Sequence, residues 1–216
     1  MALTYPLAVN DFYELFGVAS AEMTWMALRS IGRQGGGFLR MADLAPGYWQ
    51  VDMESVPMLH ANAEKVRARL TALNGAMNAF RLYPPTQPYP QNDPDGSTYG
   101  ASTPIVTNRD NAYQADMSGF PAGYQVVAGD WVQITYDTSR EYLGQFAQNK
   151  TADGSGIILN APLTAPLPDS VANGDAVNLI KPAGLFKLSP GSVKLSTINA
   201  TMQTLRLTAE QVHEAA

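Results

Sequence analysis

The chain has 216 residues, a formal net charge of −5, only 15% charged residues and no cysteine. The excess of carboxylates argues against a protein that grips nucleic acid, which needs clustered basic residues. The lack of cysteine excludes disulfides, thiolate nucleophiles and zinc–thiolate sites. The first residues include Asp11 and Glu14 and no long apolar run, so we expect neither a secretory signal nor a membrane span.

Residues 1–83 predict a β-rich domain that contains one helix. Side chains alternate between apolar and polar over 21–30 and 47–58, which favours a strand in each segment. A helix is predicted over about 57–74, and a further strand over 77–83. We expect this first domain to be a β-sandwich.

A single apolar stripe marks the helix. Spacings of four and three residues place these side chains on one face: Leu59, Ala63, Val66, Leu70 and Leu73. Pro57 suits the first turn of a helix, and Asn74-Gly75 suits its end. A helix with one such stripe gains most of its stability from packing, so we expect it to pack on the sheet.

The composition changes at Pro84. From 84 to 100 the chain has five prolines and no aliphatic residue, which excludes a helix or a central strand. We expect 84–104 to be an extended arm, a linker or a long surface loop.

Residues 105–188 predict a second, outer β-domain, because short candidate strands alternate there with turns rich in Gly, Pro and Asp. The phrase AGDWVQI at 128–134 returns in similar form as NGDAVNL at 173–179. Each copy predicts a tight turn that leads into a half-buried strand, and turn chemistry explains the likeness better than a duplication. Residues 189–216 are largely β-like, and we expect a strand there to return to the first domain.

The sequence thus predicts a mainly β protein. Its expected parts are an N-terminal β-sandwich with one packed α-helix and a second, small β-barrel or sandwich domain.

The residues give little support for catalysis, a metal site or a cofactor. His60 and His213 are the only histidines, and neither context suggests an oriented catalytic base. The Asp-rich stretch 92–97 lacks the glycine and glutamate that a calcium loop requires at fixed positions. The glycine-rich loop 32–38 lacks the Gly-Lys-Ser/Thr ending of a phosphate loop. We therefore expect no catalytic residue, no metal ligand and no cofactor.

Four aromatic residues are candidates for contact with carbohydrate or with a protein partner: Tyr89, Tyr99, Tyr113 and Trp131. Exposed aromatic rings stack on sugars and anchor protein interfaces. The residues alone leave open sugar contact, partner contact and internal packing, and they favour the last two.

Short motifs follow one another in a recognisable order along 49–188. In the first half they are Trp49, Pro57-Met58, Leu73-Asn74-Gly75 and Phe80-Arg81-Leu82. In the second half they are Gly129-Asp130-Trp131-Val132, Ala152-Asp153-Gly154-Ser155-Gly156, Pro162-Leu163 and Phe186-Lys187-Leu188. This order resembles that of distal tail proteins of long-tailed, siphovirus-like bacteriophages and prophages. Thr164 is a departure, because many of those proteins have Arg there.

The resemblance implies a structural, non-enzymatic virion protein. Such proteins form a homo-hexameric ring that joins the tail tube to the host-facing tip or baseplate, with the second β-domain outside. The implied partners are other copies of the chain, the tail tube protein and the tail hub or tip proteins. DNA would pass through the lumen without specific binding. The implied location is the virion tail after assembly in the host cytoplasm, without membrane contact.

Three other functions remain open at this point. The first is that the outer domain is a carbohydrate-binding module that contacts the host surface. The second is that the chain is another β-rich component of the tail tube or hub. A cell-wall hydrolase is the third, although no motif places a pair of catalytic carboxylates.

Overall fold

The protein is mainly β, with antiparallel sheets of the sandwich type, which confirms the predicted fold class. The computed structural model describes residues 3–33 and 38–213. Most of the glycine-rich loop 32–38 therefore lies outside the described residues. Within them the chain forms fifteen β-strands and two α-helices.

The elements follow one another along the chain in three groups. The first has a 3-10 helix (Val9–Asp11), α1 (Tyr13–Phe16), β1 (Val18–Arg33), β2 (Leu39–Ser55), β3 (Met58–Leu59), α2 (His60–Ala72) and β4 (Phe80–Leu82). The second has β5 (Ile105–Asn111), β6 (Gln114–Ser118), β7 (Gln125–Val126), β8 (Trp131–Tyr136), β9 (Arg140–Gln145), β10 (Lys150–Thr151), β11 (Ile157–Pro162) and β12 (Ala176–Asn178). The third has β13 (Gly184–Leu188), β14 (Lys194–Thr197) and β15 (Met202–Val212).

The C-terminal strand β15 is the centre of the first sheet. The strand order is β1-β2-β15-β13-β4, and β3 and β14 also pair with β15. Alternate residues of β2 and β15 are buried, among them Val51, Met53, Leu205 and Leu207. They form one hydrophobic core with the apolar stripe of α2, so the helix covers the inner face of the sheet.

The helix begins at His60 rather than at Pro57. Met58 and Leu59 pair with β15 as the short strand β3, and the His60 N–H donates to the Thr201 carbonyl at 3.0 Å. Leu59 therefore precedes the helix and is 56% exposed. The other predicted members of the stripe are buried, as expected.

The second sheet has its own core. Its order is β11-β6-β5-β12-β8-β9, and β7 pairs separately with β10. The largest side chains of this core include Met117, Ile134, Tyr142 and Phe146, all fully buried. No sheet in the described ranges closes into a barrel.

The proline-rich segment 84–104 is folded against the second core and is not an extended arm. It contains no helix or strand, as its prolines require. The buried Asp93 carboxylate accepts hydrogen bonds from the backbone N–H groups of Thr98 and Tyr99 at 3.0 and 2.8 Å. The Tyr99 hydroxyl then donates to the Val177 carbonyl at 3.1 Å, which ties the segment to β12.

The two Gly-Asp phrases form equivalent turns. Gly129 and Gly174 have φ angles of 94° and 96°, a conformation that favours glycine. The following residue, Asp130 or Asp175, accepts a hydrogen bond from the backbone N–H three residues earlier, at 2.8 Å in each turn. The strands that start at these turns, β8 and β12, are antiparallel neighbours.

A chain of tryptophan rings joins the two cores. The Trp25 and Trp49 rings lie 5.2 Å apart between centroids, and the Trp49 and Trp131 rings lie 4.8 Å apart, both edge to face. The Trp49 indole N–H donates to the Leu143 carbonyl of β9 at 3.0 Å. The first and second sheets are therefore packed together through aromatic rings, and one of these rings also forms a hydrogen bond between the sheets.

Candidate functional site

The most unusual surface is the outer part of the β1–β2 hairpin. We call residues 26–33 and 38–46 the ribbon. Every residue of the ribbon is exposed, so neither face of the ribbon is covered by the rest of the chain. Its large apolar side chains are Met26, Leu28, Ile31, Phe38, Leu39, Met41 and Leu44. An isolated two-stranded hairpin is marginally stable in water, and exposed apolar patches mark interaction sites, so the ribbon has the character of a contact surface.

Two free edges lie on opposite sides of the first sheet. Ser20 of β1 pairs with Glu54 of β2, Glu54 with Arg206 of β15, and Arg206 with Lys194 of β14. This row of four strands, β1-β2-β15-β14, alternates in direction at each step. In the described residues β1 pairs only with β2, and β14 pairs only with β15. Each outer strand therefore presents unpaired backbone groups.

A second apolar surface accompanies the β14 edge. Its exposed side chains come from β3, from β14 and the residues that flank it, and from the start of β15: Leu59, Val193, Leu195, Ile198 and Met202. Leu59 and Met202 are direct cross-strand partners. The chain thus has exposed apolar residues near both free edges of the row.

The outer face of the first sheet carries more negative than positive charge. Its carboxylates are Glu22, Asp52, Glu54 and Glu210, and its cations are Lys187, Lys194 and Arg206. Glu22 lies directly opposite Asp52, an arrangement of like charges that costs stability in a sheet. We call this surface the acidic face.

A cleft of about 710 Å³ lies between the base of the ribbon and the second sheet, within the usual range for small-molecule sites. Trp25 and Arg29 line one wall, and Arg109 and Tyr113 line the other. A Cβ atom on Gly47 would lie 2.5 Å from the Trp25 ring. Any side chain at position 47 would clash with the Trp25 ring at the base of the cleft, so this close approach requires glycine.

The four predicted aromatic residues do not form one site. Tyr113 is 46% exposed and lines the cleft, whereas Tyr99 and Trp131 are buried in the two cores. Burial raises the pKa of Tyr99 to about 12. Tyr89 is half-buried, with its ring against Gly96. Tyr99 and Trp131 are therefore structural and are not available to stack on a surface ligand.

A second polar contact between the two sheets contains a buried carboxyl group that is only partly satisfied. Arg81 Nε lies 2.7 Å from Glu141 Oε1, and Glu141 is buried. The other oxygen, Oε2, has no hydrogen-bond partner in the described part of the chain. Burial raises the pKa of this carboxyl group, against the opposing effect of Arg81.

The two histidines lie in different parts of the chain. His60 is exposed at the start of α2, and His213 lies beside the cleft. Over residues 3–33 and 38–213, no group of three or more His, Asp or Glu side chains is placed to hold a metal ion. No helix in these same ranges is both long and apolar enough to cross a membrane.

No protein-family model matches the chain, and no curated protein is significantly similar to it.

The sequence predicts a strand over 21–30, which includes the start of the ribbon, but it does not predict the pairing of that strand with 39–45 or the exposure of both faces. The signal available is short, because Leu39 and Met41 flank Arg40 but the pattern then breaks at the apolar Ala42 and the out-of-step Leu44. Alternation alone does not distinguish an exposed ribbon from a half-buried strand, because both have a period of two residues.

Proposed function

We propose that this chain is a structural subunit of a bacteriophage tail that assembles into a closed ring of identical copies. The ring would lie at the distal end of the tail, between the tail tube and the hub or tip proteins of the baseplate. The observation that carries the proposal is the row β1-β2-β15-β14 with its two free edges. The resemblance of the motif order to distal tail proteins supplies the location and the expected number of six copies.

The direction of the strands supports a cyclic assembly. Because the row has an even number of alternating strands, β1 and β14 run in opposite directions. All copies in a cyclic ring have the same orientation relative to its axis. The β14 edge of one copy would therefore meet the β1 edge of the next as an antiparallel pair, and no edge would stay open.

The two apolar surfaces support the same interface. A heterologous contact needs two different, complementary patches on one chain. The ribbon continues β1 and β2 outward from the body of the sheet, and the exposed Val193, Leu195 and Ile198 lie in or beside β14. Burying exposed side chains such as Ile31 and Phe38 would stabilise the assembly by about 1.5–3 kcal/mol for each fully covered side chain.

The acidic face suits a surface that lets DNA pass without binding it. Like charges repel phosphate, and the face carries carboxylates on three adjacent strands. A variant with Glu22→Lys and Glu54→Lys should gain DNA binding that weakens as salt concentration rises. Equal retention of DNA by the wild type and this variant would contradict a repelling role.

Light scattering after size exclusion tests the ring. Six copies of the 23.3 kDa chain have a mass of roughly 140 kDa. We expect Ile31→Asp, in the ribbon, to reduce the mass towards that of one copy, because a charge would be buried in the interface. Met77→Asp is the matched control, since Met77 is 66% exposed and Ile31 is 63% exposed. A wild-type mass of one copy at every soluble concentration would contradict a self-assembling ring.

A further inference from the structure

The cleft gathers three arginine side chains on a chain that is acidic as a whole. Its walls carry three arginines, Arg29, Arg109 and Arg140, and two carboxylates, Asp43 and Asp169. The chain has a net charge of −5. Guanidinium groups gathered in a concave site concentrate anions there, even when the rest of the surface repels them.

Two of these arginines, Arg109 and Arg29, have exposed partners that are easily replaced, and Arg140 Nη1 is also paired, with Asp137 Oδ2 at 3.3 Å. Arg109 Nη2 lies 2.7 Å from Asp169 Oδ1, but the Asp169 side chain is 98% exposed. Arg29 Nε lies 2.7 Å from Asp43 Oδ1, and the Asp43 side chain is 69% exposed. Exposed ion pairs contribute about 0–1 kcal/mol. A ligand carboxylate enclosed by the cleft would compete well for either guanidinium group, because it can bind in bidentate geometry.

Arg109 also has unused hydrogen-bonding capacity. Besides Asp169, Nη2 donates to the Leu167 carbonyl at 3.2 Å. Its Nε is buried and has no hydrogen-bond partner among the described residues. A small movement of this side chain towards a ligand would give Nε an acceptor and would remove the cost of leaving it unpaired.

The cleft also presents an aromatic ring on a fixed backbone. The Tyr113 N–H donates to Asn111 Oδ1 at 2.8 Å, and the Tyr113 carbonyl accepts from the Leu163 N–H at 2.8 Å. These bonds hold the turn between β5 and β6 while the side chain remains about half exposed. An exposed tyrosine ring beside polar groups is suited to stacking on a sugar ring.

Hydroxyl groups complete the lining. Thr164 and Ser170 contribute side-chain hydroxyls beside the arginines. From the combination of guanidinium groups, hydroxyls and one presented aromatic ring, we propose that the cleft binds an acidic saccharide. Its carboxylate pairs with Arg109, and one sugar ring stacks on Tyr113. All of the lining residues belong to one copy of the chain, and Arg109 and Tyr113 lie outside the ribbon, so variants at these two residues test the cleft without altering the proposed ring interface.

Isothermal titration calorimetry of the full chain tests this site. The probes are trigalacturonate and 3′-sialyllactose as acidic saccharides, maltotriose as a neutral one, and citrate as an anion without a sugar ring. We expect at least one acidic saccharide to bind with one site per chain. Maltotriose and citrate should each bind about tenfold or more weakly, since each lacks one of the two interactions.

Two variants locate the binding. Arg109→Gln and Tyr113→Ala should each weaken it by about tenfold or more. Arg67→Gln is the matched control, because Arg67 also forms an exposed ion pair, with Glu64 at 3.2 Å, but on α2. Circular dichroism confirms that each variant is folded. Failure of both acidic saccharides to bind, equal binding of maltotriose or citrate, or unchanged affinity in both cleft variants would overturn the proposal.

Discussion

Asn178 Nδ2 donates a hydrogen bond to Gln133 Oε1 at 3.2 Å across two antiparallel strands. The two residues occupy the same position in the phrases AGDWVQI and NGDAVNL. The two similar sequences thus form two neighbouring strands, and each strand begins at a Gly-Asp turn. Gln133 Oε1 also accepts from the Ala183 N–H at 3.0 Å, so the pair helps hold the chain that returns to the first sheet.

The equivalent aspartates of these phrases should contribute differently to stability. Asp130 is fully buried and accepts hydrogen bonds from Gln87 Nε2, the Gln91 N–H and the Val127 N–H at 2.8–2.9 Å. Asp130→Ala should lower the free energy of unfolding by at least about 2 kcal/mol, because several donors lose a charged acceptor. Urea unfolding followed by circular dichroism measures the change.

Asp175→Ala is the matched control for that experiment. Asp175 is half-buried and accepts one backbone hydrogen bond, from the Ala172 N–H. Its replacement should cost about 1 kcal/mol or less. Equal losses for the two variants would show that the packing of the proline-rich segment on Asp130 does not stabilise the protein.

Trp49→Phe should weaken the contact between the two cores. The substitution keeps a ring beside Trp25 and Trp131 but removes the N–H that donates to the Leu143 carbonyl. We expect a loss of about 1–3 kcal/mol in the free energy of unfolding, because a buried carbonyl is left without its donor. Trp25→Phe, which removes no such bond, should cost less when both variants are measured by denaturant unfolding.

Leu70→Ala should lower the free energy of unfolding by about 2–5 kcal/mol, because it leaves a cavity between α2 and the first sheet. Leu59→Ala tests the corrected start of the helix. Leu59 is exposed in the isolated chain, so its loss should change stability by less than about 0.5 kcal/mol. Thermal melts of the two variants provide the comparison, and similar melting temperatures would contradict the packing described for α2.

Glu141 should make stability depend on pH. The pKa of its buried carboxyl group is raised above the ordinary 4.5, so the folded protein holds this proton more tightly than the unfolded chain. The stabilising contribution is complete below about pH 4.5 and is lost as pH rises through the raised pKa.

The variant Glu141→Gln isolates this effect. The difference in free energy of unfolding between the wild type and Glu141→Gln should fall as pH rises from about 4 to above the raised pKa. Urea titrations over this range measure it. A difference that is constant with pH would show that Glu141 titrates alike in the folded and unfolded states.

The fold class and the helix could be predicted because they depend on local periodicity. Val66 and Leu70 lie on a stripe that only a helix brings together, and the structure places both in the first core. The exact start of the helix depended on a non-local contact. Met58 and Leu59 became a strand because β15, far along the chain, supplies their partners.

The burial of individual aromatic residues could not be predicted for a related reason. Tyr99 and Tyr113 both follow turn-rich sequence, and their composition does not distinguish them. Tyr99 is buried because Asp93 organises the proline-rich segment and directs the ring towards β12. Tyr113 is exposed because it belongs to a tight turn between two strands. Such differences arise from tertiary packing, which residue type alone does not specify.

The positions of the tryptophans allow the contact between the two cores to be followed by spectroscopy without an added label. The chain has three tryptophans, and all of them lie between the two cores. Their fluorescence spectra, excited selectively over the tyrosines, therefore arise from one junction rather than from the whole molecule. A neighbouring subunit or a ligand that shifts the second sheet against the first would change these spectra while the far-ultraviolet signal stays constant.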